Sequence, residues 1–471
     1  MDKYKNLLTN IALFTLNTVS TKLITFFLIP LYTFYLSTRE FGITDMALTV
    51  VSLVTPIVTV SINDAVVRYI IDDSNNQRKY VTVGFWITLI GCLVTILGLP
   101  LLDIPIFGGL GQYKGIFAIT FIVVAFQGLF SNAARGLNQT KLFTWVSIIS
   151  SLITAATAGL AIGPLRLGVY GYFYSMIAGN AVGVVLYLIA GHHYRYISLL
   201  TLKNDKRLIK AMLLFAVPMM PNAVFWWVGT SVNRFFITSM LGVSFSGLFA
   251  AAGKIPNVMN MLSTTFWQAW SLSAFQEYRK ANISMFFTNV FVVFRALSAT
   301  VGSVIILTSP ILAKILLQKG FYDAWTLIPL LVLAFYFNVL SGFYGTVFTA
   351  SMKTKYLLTT TGAAAVSVVV LTWILVPKFG LQGASAAMAI SNLIMLVLRI
   401  LQAGMIIQIR VNWLLEIGTV LAMLIQVIVM ANEVPNFMIC SLILCLVVFI
   451  FRTFEIIPSI QHLIRKNNKI S

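Results

Sequence analysis

The chain has 471 residues, of which 59% are hydrophobic and 10% are charged, and its mean hydropathy is +0.93. Because soluble domains carry about 25% charged residues, this composition excludes an ordinary soluble protein. The net charge of +19 is not accompanied by a soluble basic domain of the kind that binds RNA or DNA, so we expect no nucleic acid partner. The predicted fold class is an all-α polytopic membrane protein.

Apolar stretches of about 20 residues, long enough to cross a hydrocarbon core, recur along the whole chain. Fourteen spans are predicted, near residues 9–35, 42–66, 80–102, 115–134, 143–162, 169–190, 209–238, 243–270, 284–307, 325–349, 357–376, 383–407, 413–431 and 437–456. If both termini are cytoplasmic, most of the 32 Lys and Arg residues fall on the cytoplasmic side, in agreement with the positive-inside rule. The N-terminal residues show no small-residue cleavage site, which predicts an uncleaved anchor.

The first two predicted spans contain charged side chains. Lys22 lies in the middle of the first span among Asn and Thr residues, so this helix is expected to border a cavity. Asp45 and Asp64 lie in the second span, ahead of Arg68. Carboxylates in lipid are costly and usually paired, so the two aspartates either bind a coupling ion or neutralise Lys22 and Arg68.

An internal repeat relates residues 140–180 to residues 354–392. The copies share three residues at identical spacings of three and nine, namely Gly168, Gly171 and Asn180 in the first and Gly380, Gly383 and Asn392 in the second. Small residues recur at steps of four, as Gly171, Ser175 and Gly179 in the first copy and Gly383, Ala387 and Ser391 in the second. Such stripes allow helices to pack closely in lipid. The duplication predicts two homologous bundles of six helices.

The seventh and eighth predicted spans combine prolines, tryptophans and basic residues. Pro218 and Pro221 are expected to interrupt the seventh helix and leave backbone carbonyls facing a cavity. Further along the seventh, eighth and ninth spans lie Trp226, Arg234, Lys254, Trp267, Trp270 and Arg295.

The predicted organisation has four parts. An N-terminal six-helix bundle covers 1–191, a cytoplasmic linker covers 192–208, a C-terminal six-helix bundle covers 209–408, and two additional helices with a cytoplasmic tail cover 409–471. The linker charges are expected to hold the topology and to contact anionic lipid.

Several short motifs resemble those of Wzx-type polysaccharide repeat-unit flippases, which belong to the multidrug/oligosaccharidyl-lipid/polysaccharide (MOP) exporter superfamily. The motifs are Ile29–Tyr32, Leu36–Ser37, Glu40–Gly42, Asp64–Tyr69, Asn233–Phe235, Leu241–Gly242, Gly247 and Lys254–Pro256. The family often has Asp before the arginine of the Asn233–Phe235 motif, where this chain has Asn. The resemblance implies a MATE-like fold of two six-helix bundles plus two C-terminal helices.

The resemblance also implies a function. The chain would move undecaprenyl-pyrophosphate-linked oligosaccharide units from the cytoplasmic to the outer leaflet of a bacterial inner or plasma membrane by alternating access. The product would serve capsule, O-antigen or exopolysaccharide synthesis. The expected partners are the lipid-linked oligosaccharide, membrane lipid, a coupling Na⁺ or H⁺, and glycan polymerase machinery; no cofactor, metal or catalytic residue is expected.

A pyrophosphate head group needs cations in a partly desolvated place. The residues expected to supply them are Arg234, Lys254, Lys22, Arg68 and Arg295, with Arg399 as a further basic residue inside a predicted span. Asp45 and Asp64 are expected to couple an ion or to pair with Lys22 and Arg68. The side chains of Trp226, Trp267 and Trp270 either stack on sugar rings or form part of an interfacial aromatic belt.

Three other functions fit parts of this pattern. A MATE-type multidrug exporter for cationic drugs would be expected to have an acidic cavity. A flippase for a lipid-linked peptidoglycan precursor would also need basic residues. A membrane glycan polymerase or ligase normally needs a sizeable outer loop with catalytic residues, and the longest predicted outer connection, 307–324, offers no acid–base pair.

Overall fold

The computed structural model describes residues 2–198, 205–278 and 283–467, and every regular element in these ranges is helical. Residues 199–204 of the predicted linker and 468–471 of the predicted tail lie outside the described residues. The chain forms two compact units, Met1–Leu248 and Phe249–Ser471. The four-part division of the sequence stays a prediction.

Eleven helices begin in the first unit, and the last of them crosses its boundary. They are α1 (Asp2–Tyr35), α2 (Thr38–Val58), α3 (Ile62–Asp72), α4 (Gln77–Gly98), α5 (Lys114–Gly136), α6 (Thr140–Ile162), α7 (Gly168–Ile189), α8 (Lys206–Ala216), α9 (Met219–Ser231), α10 (Asn233–Met240) and α11 (Val243–Lys254). Within this unit α6 packs along α7 and α1, and α5 packs against α7 and α3.

The second unit contains longer helices. They are α12 (Asn257–Glu277), α13 (Ile283–Leu316), α14 (Ile328–Ala350), α15 (Lys355–Gly404), α16 (Trp413–Ala431) and α17 (Phe437–Asn467). Here α14 packs along α15, while α16 and α17 pack on each other and on α13.

Eleven helical stretches in the described part of the chain are long and apolar enough to cross a membrane. One of them, α15, has 50 residues and contains the predicted span 357–376 and most of the predicted span 383–407; Gly380, with a φ of 55°, divides it. The predicted span 9–35 lies within α1, which is not among the eleven. The chain is therefore a multi-pass helical membrane protein, and the number of fourteen spans stays a prediction.

Proline breaks the seventh predicted span, as expected, and also the eighth. The seventh is divided into α8, α9 and α10, with Pro218 between α8 and α9 and Pro221 in the first turn of α9. Pro256 separates α11 from α12. Proline has no N–H to donate, so it is tolerated in the first turn of a helix, where no N–H is needed. The residue before a proline is disfavoured in the helical conformation, so a preceding helix ends there.

The backbone has the same conformation at corresponding positions of the internal repeat. Gly168 and Gly380 have φ values of 54° and 55°, and Asn138 and Met352, two residues before the threonine of each copy, have 58° and 59°. All six residues of the small-residue stripes are buried. The predicted stripes therefore lie in packed helix contacts within each unit.

Two glycines of the motifs named above, Gly42 and Gly247, bring two helices together in the first unit. A Cβ added to Gly42 would overlap the carbonyl oxygen of Val243, and one added to Gly247 would overlap that of Thr38 and lie 3.1 Å from Gly42 Cα. The start of α11 thus packs backbone to backbone on α2, an arrangement that only glycine permits.

The start of the predicted linker is more buried than the sequence suggested. His193 is 0% exposed, its Nε2 lies 2.9 Å from Gln139 Oε1, and its ring stacks on Tyr187 at 5.7 Å between centroids. This burial lowers the pKa of His193 to about 4. Aromatic side chains of the first unit enclose the imidazole, so His193 is packed into that unit.

Candidate functional site

An arginine and an aspartate from two apolar helices form an ion pair in the first unit. Arg234 Nε, on α10, donates to Asp45 Oδ2, on α2, at 2.5 Å, and Arg234 Nη1 lies 3.4 Å from the carbonyl oxygen of Thr230. The Asp45 side chain is 7% exposed and that of Arg234 is 21% exposed. The carboxylate therefore holds the Nε edge of a guanidinium whose side chain is partly exposed.

A buried tryptophan fixes the helix that precedes this arginine. Trp227 donates its indole N–H to the carbonyl oxygen of Thr49 at 3.0 Å and lies 3.1 Å from Ser52 Oγ, so α9 is hydrogen-bonded to α2. Its neighbour Trp226, a predicted sugar-stacking residue, is 52% exposed. The sequence analysis did not single out Trp227; only its position next to Trp226 on a broken helix could have indicated one inward-facing and one outward-facing ring.

Asp45 pairs with Arg234, which was not among the partners expected from the sequence. Arg68, one of the two expected partners of the aspartates, forms an i,i+4 pair with Asp72 at 2.9 Å, and both side chains are more than half exposed. Asp64 is exposed and Lys22 is half-buried. Neither makes a recorded ion pair within the described residues. The aspartates and basic residues of the first two spans thus do not neutralise one another as a group.

Lys254 and the other two predicted tryptophans belong to α11 and α12. Lys254 is half-buried in the last turn of α11. Trp267 lies flat against Gly342, where an added Cβ would come within 2.9 Å of its ring.

Trp270 is buried in the core of the second unit. It donates to Thr346 Oγ1 at 2.9 Å and stacks on Phe343 and Phe286 at 5.0 and 5.4 Å between centroids. Its faces are covered by phenylalanine rings, so a sugar has no access to them in this structure.

Arg295 lies in a buried network of four charges in the second unit. Its guanidinium contacts Glu455, lies 3.2 Å from Glu416 Oε2 and stands 5.0 Å from the centre of the Phe291 ring. Arg452 completes the network, 2.6 Å from Glu416 Oε2 and 2.7 Å from Glu455 Oε2. The Arg295 and Arg452 side chains are 0% and 1% exposed. Two arginines and two glutamates balance, so Arg295 is engaged with carboxylates rather than free for phosphate.

Helices α16 and α17, which lie outside the duplication, supply three of these four charges. None of Glu416, Arg452 and Glu455 was predicted from the sequence to be a functional residue. The i,i+3 spacing of Arg452 and Glu455 was the available signal. Tyr336 on α14 adds a hydroxyl hydrogen bond to Glu416 at 3.2 Å. This network ties α16 and α17 to α13 and α14 of the second unit.

Arg399 is buried without a recorded carboxylate partner among the described residues. Its guanidinium donates to the carbonyl oxygen of Ser341 at 2.8 Å and to the hydroxyls of Thr360 and Thr361 at 3.2 and 3.1 Å. Gly345 leaves room for it, since an added Cβ would lie 3.2 Å from Nη1. Neutral acceptors therefore surround this cation.

A family model described as "Polysaccharide biosynthesis protein" matches residues 7–271, more than half of the chain. No curated protein matches the chain. Several solved structures are similar to it. A lipid II flippase, MurJ, in an inward closed conformation has a TM-score of 0.73 at 15% identity, over 96% of this chain and 100% of that one.

Two further similar structures are transporters. An inward-facing multidrug resistance MATE family transporter of the MOP superfamily has a TM-score of 0.69 at 14% identity, over 83% of this chain and 94% of that one. A MOP superfamily transporter from Pyrococcus furiosus, whose binding pocket is described as having reverse polarity, has a TM-score of 0.62 at 13% identity, over 85% and 95%. At these identities the likeness shows the fold, which is that of the MOP superfamily.

Proposed function

Because the chain belongs to the polysaccharide biosynthesis protein family, we propose that it is a flippase for undecaprenyl-pyrophosphate-linked oligosaccharide units. It moves them from the cytoplasmic to the outer leaflet by alternating access and makes or breaks no covalent bond. In this proposal the chain lies in a bacterial inner or plasma membrane with both termini in the cytoplasm.

The observation that carries the proposal is the partly exposed guanidinium of Arg234. Among the described residues its Nη2 has no recorded partner, and its Nη1 makes only the long contact with Thr230. A guanidinium oriented by a carboxylate at Nε presents its terminal nitrogens as a fork that matches phosphate oxygens. Arg234 is therefore the residue that we assign to the pyrophosphate, with Asp45 as its positioning partner.

The other predicted basic residues fall into two groups, those retained as phosphate-binding candidates and those already engaged with carboxylates. Lys254 and Lys22 are half-buried on membrane helices and are retained as phosphate-binding candidates. Arg68 and Arg295 are engaged with Asp72 and with the two glutamates respectively, so the proposal does not depend on them. Outward movement of an anion is favoured by about 2.3 kcal/mol per charge per 100 mV of inside-negative potential.

The test uses purified protein in liposomes that contain fluorescent lipid-linked oligosaccharide, with translocation measured as quenching of label that reaches the opposite leaflet. We expect Arg234→Gln to slow translocation by about tenfold or more, the equivalent of 1.4 kcal/mol, while the protein still inserts. Arg195→Gln is the control, because Arg195 is exposed and its side chain lies on the neighbouring Tyr194. Equal rates for Arg234→Gln and wild type would contradict the assignment, and new glycosidic bonds would indicate a polymerase or ligase.

A flippase for the lipid-linked peptidoglycan precursor is the second candidate. It is favoured by the similarity to MurJ over 96% of this chain. The same liposomes loaded with lipid II separate the two proposals, since preferential translocation of lipid II over the repeat unit would reverse the order of the candidates. A multidrug exporter would transport a cationic dye in this assay and neither lipid.

A further inference from the structure

A cleft in the first unit is lined by uncharged polar side chains from four helices. It has a volume of about 310 Å³ and lies between α1, α5, α6 and α7. Nine of its twelve lining residues carry a hydroxyl or carboxamide group, and none of the twelve is charged. Pockets for small ligands usually start at about 300 Å³, so the cleft is large enough for a small polar ligand.

Several hydroxyl and amide protons of this lining are used within the helices. Thr21 Oγ1 donates to the carbonyl oxygen of Asn17 at 2.8 Å, and Thr154 Oγ1 donates to that of Ser150 at 2.9 Å. The side chain of Asn180 donates from Nδ2 to its own helix at 2.7 Å. Each of these groups keeps oxygen lone pairs that can accept a hydrogen bond. The wall of the cleft is therefore rich in acceptors.

Two further polar atoms of the lining are buried without a hydrogen-bond partner among the described residues. They are Oδ1 of Asn17, a residue 9% exposed, and Oγ of Ser150, a residue 7% exposed. Because more than about 90% of buried polar groups in proteins have a partner, these two atoms are the polar groups of the cleft with most capacity to bind a ligand.

Gly183 on α7 brings that helix close to two residues of the lining. A Cβ added to Gly183 would lie 2.7 Å from Ser150 Oγ and 3.3 Å from Cγ of Gln127. A larger residue at this position would therefore displace the side chains of Ser150 and Gln127.

The chemistry of this wall selects for a ligand that donates hydrogen bonds and carries no negative charge. The lining offers no cation to a phosphate, whereas a sugar ring presents several O–H groups that can donate to the acceptors of the wall and accept from the Ser150 hydroxyl. We propose that the cleft is a subsite for a sugar residue of the substrate, bound through Asn17, Thr21 and Ser150. This inference rests on the proposed function, and it places the sugar apart from the phosphate-binding Arg234.

The test measures binding of two probes to the full chain in detergent, farnesyl pyrophosphate carrying one N-acetylglucosamine and bare farnesyl pyrophosphate. Wild type should bind the sugar-bearing probe more tightly. Thr21→Val and Asn17→Leu should each weaken binding of that probe by about five- to tenfold, the loss expected for one or two neutral hydrogen bonds, and leave the bare probe unchanged. Gly183→Ala should have the same effect by displacing the side chains of Ser150 and Gln127.

Thr95→Val is the matched control. Thr95 lies on α4 in the same unit, is buried, and donates to the carbonyl oxygen of Gly91 at 2.9 Å as Thr21 does to that of Asn17, but it does not line the cleft. Thr95→Val therefore removes a hydroxyl that makes the same kind of local hydrogen bond as that of Thr21. Thermal unfolding of every variant shows whether it remains folded.

The outcomes separate the two proposals. If wild type binds neither probe, the flippase proposal fails and the sugar subsite fails with it. If wild type binds both probes equally, or the cleft variants weaken both in parallel, the sugar subsite alone is overturned. Acceptors also bind monovalent cations, so loss of binding when choline replaces Na⁺, without discrimination between the probes, would show a cation site and overturn the sugar assignment.

Discussion

The two units each place arginine against carboxylate inside apolar helices, but to different ends. In the first unit one arginine, Arg234, meets one carboxylate and stays 21% exposed. In the second, Arg295 and Arg452 meet two glutamates and are 0% and 1% exposed. A basic residue in a membrane helix therefore does not by itself indicate a binding site. The number of carboxylates around it and its remaining exposure decide between a ligand contact and an internal brace.

Arg399 is a third case, because neutral oxygens alone surround its guanidinium in the described residues. Its charge is accommodated by hydrogen bonds, with no carboxylate in reach. Arg399 thus shows that a cation can be buried without a carboxylate to balance its charge. Exposure and charge balance therefore have to be compared separately at the Arg234 and Arg295 sites.

Breaking the four-charge network should have the largest effect on stability. Arg452→Met leaves Glu416 and Glu455 with one cation between them in a buried place, and removal of one partner of a buried pair costs about 3–5 kcal/mol. We expect that loss in the free energy of unfolding in mixed micelles. Arg452→Met combined with Glu455→Gln should recover most of it by restoring charge balance, and an unchanged single variant would show that the network contributes no stability.

The imidazole of His193 is a buried basic group that has no carboxylate partner among the described residues. It therefore tests the cost of burying a charge that is not balanced. Its folded pKa of about 4 is below the unfolded value of about 6.5, so the unfolded chain binds the proton first as the pH falls. Stability is fully present above about pH 6.5 and decreases toward pH 4, by about 3 kcal/mol in total.

Unfolding measured across this pH range should show the loss in wild type and a flatter profile in His193→Gln. The adjacent His192 is exposed, so His192→Gln should retain the wild-type profile. A wild-type profile in His193→Gln would assign the pH dependence to other groups.

Substitution of Gly247 tests how firmly the region of Arg234 is attached to α2. Gly247→Ala should lower the free energy of unfolding by about 1–3 kcal/mol, the usual cost of overpacking, because its Cβ would overlap the Thr38 carbonyl. Gly253→Ala in the same helix has no atom within 4 Å of the added Cβ and should be neutral or slightly stabilising. Equal stability of the two variants would mean that α11 can move away from α2 without cost.

The Asp45–Arg234 pair should show the smallest change in stability. Asp45→Asn keeps an acceptor for the guanidinium, and partly exposed pairs contribute about 1 kcal/mol or less. We expect a change of that size in unfolding together with a clear loss of translocation. If Asp45→Asn destabilises the protein as much as Arg452→Met does, the pair is a brace like the network in the second unit and the comparison fails.

Local features of the chain were predictable from sequence because they depend on neighbouring residues. Apolar runs indicated membrane helices, Pro218 and Pro256 marked breaks, and the repeated glycines marked positions where both copies have the same left-handed backbone. Helix-period spacing likewise placed the small residues on one buried face. Each of these inferences spans only a few turns of chain.

The sequence by itself thus determined a helical membrane chain with an internal repeat and with basic residues among its spans. Only the tertiary structure decided that Asp45 pairs with Arg234, 189 residues away, and that Arg295 joins Glu455, 160 residues away. The physical reason is that hydropathy and helix period act locally, whereas the partner of a buried charge is chosen by which helices pack side by side. An arginine in the sequence of a membrane helix looks the same whether it belongs to a ligand site or to a balanced network of charges.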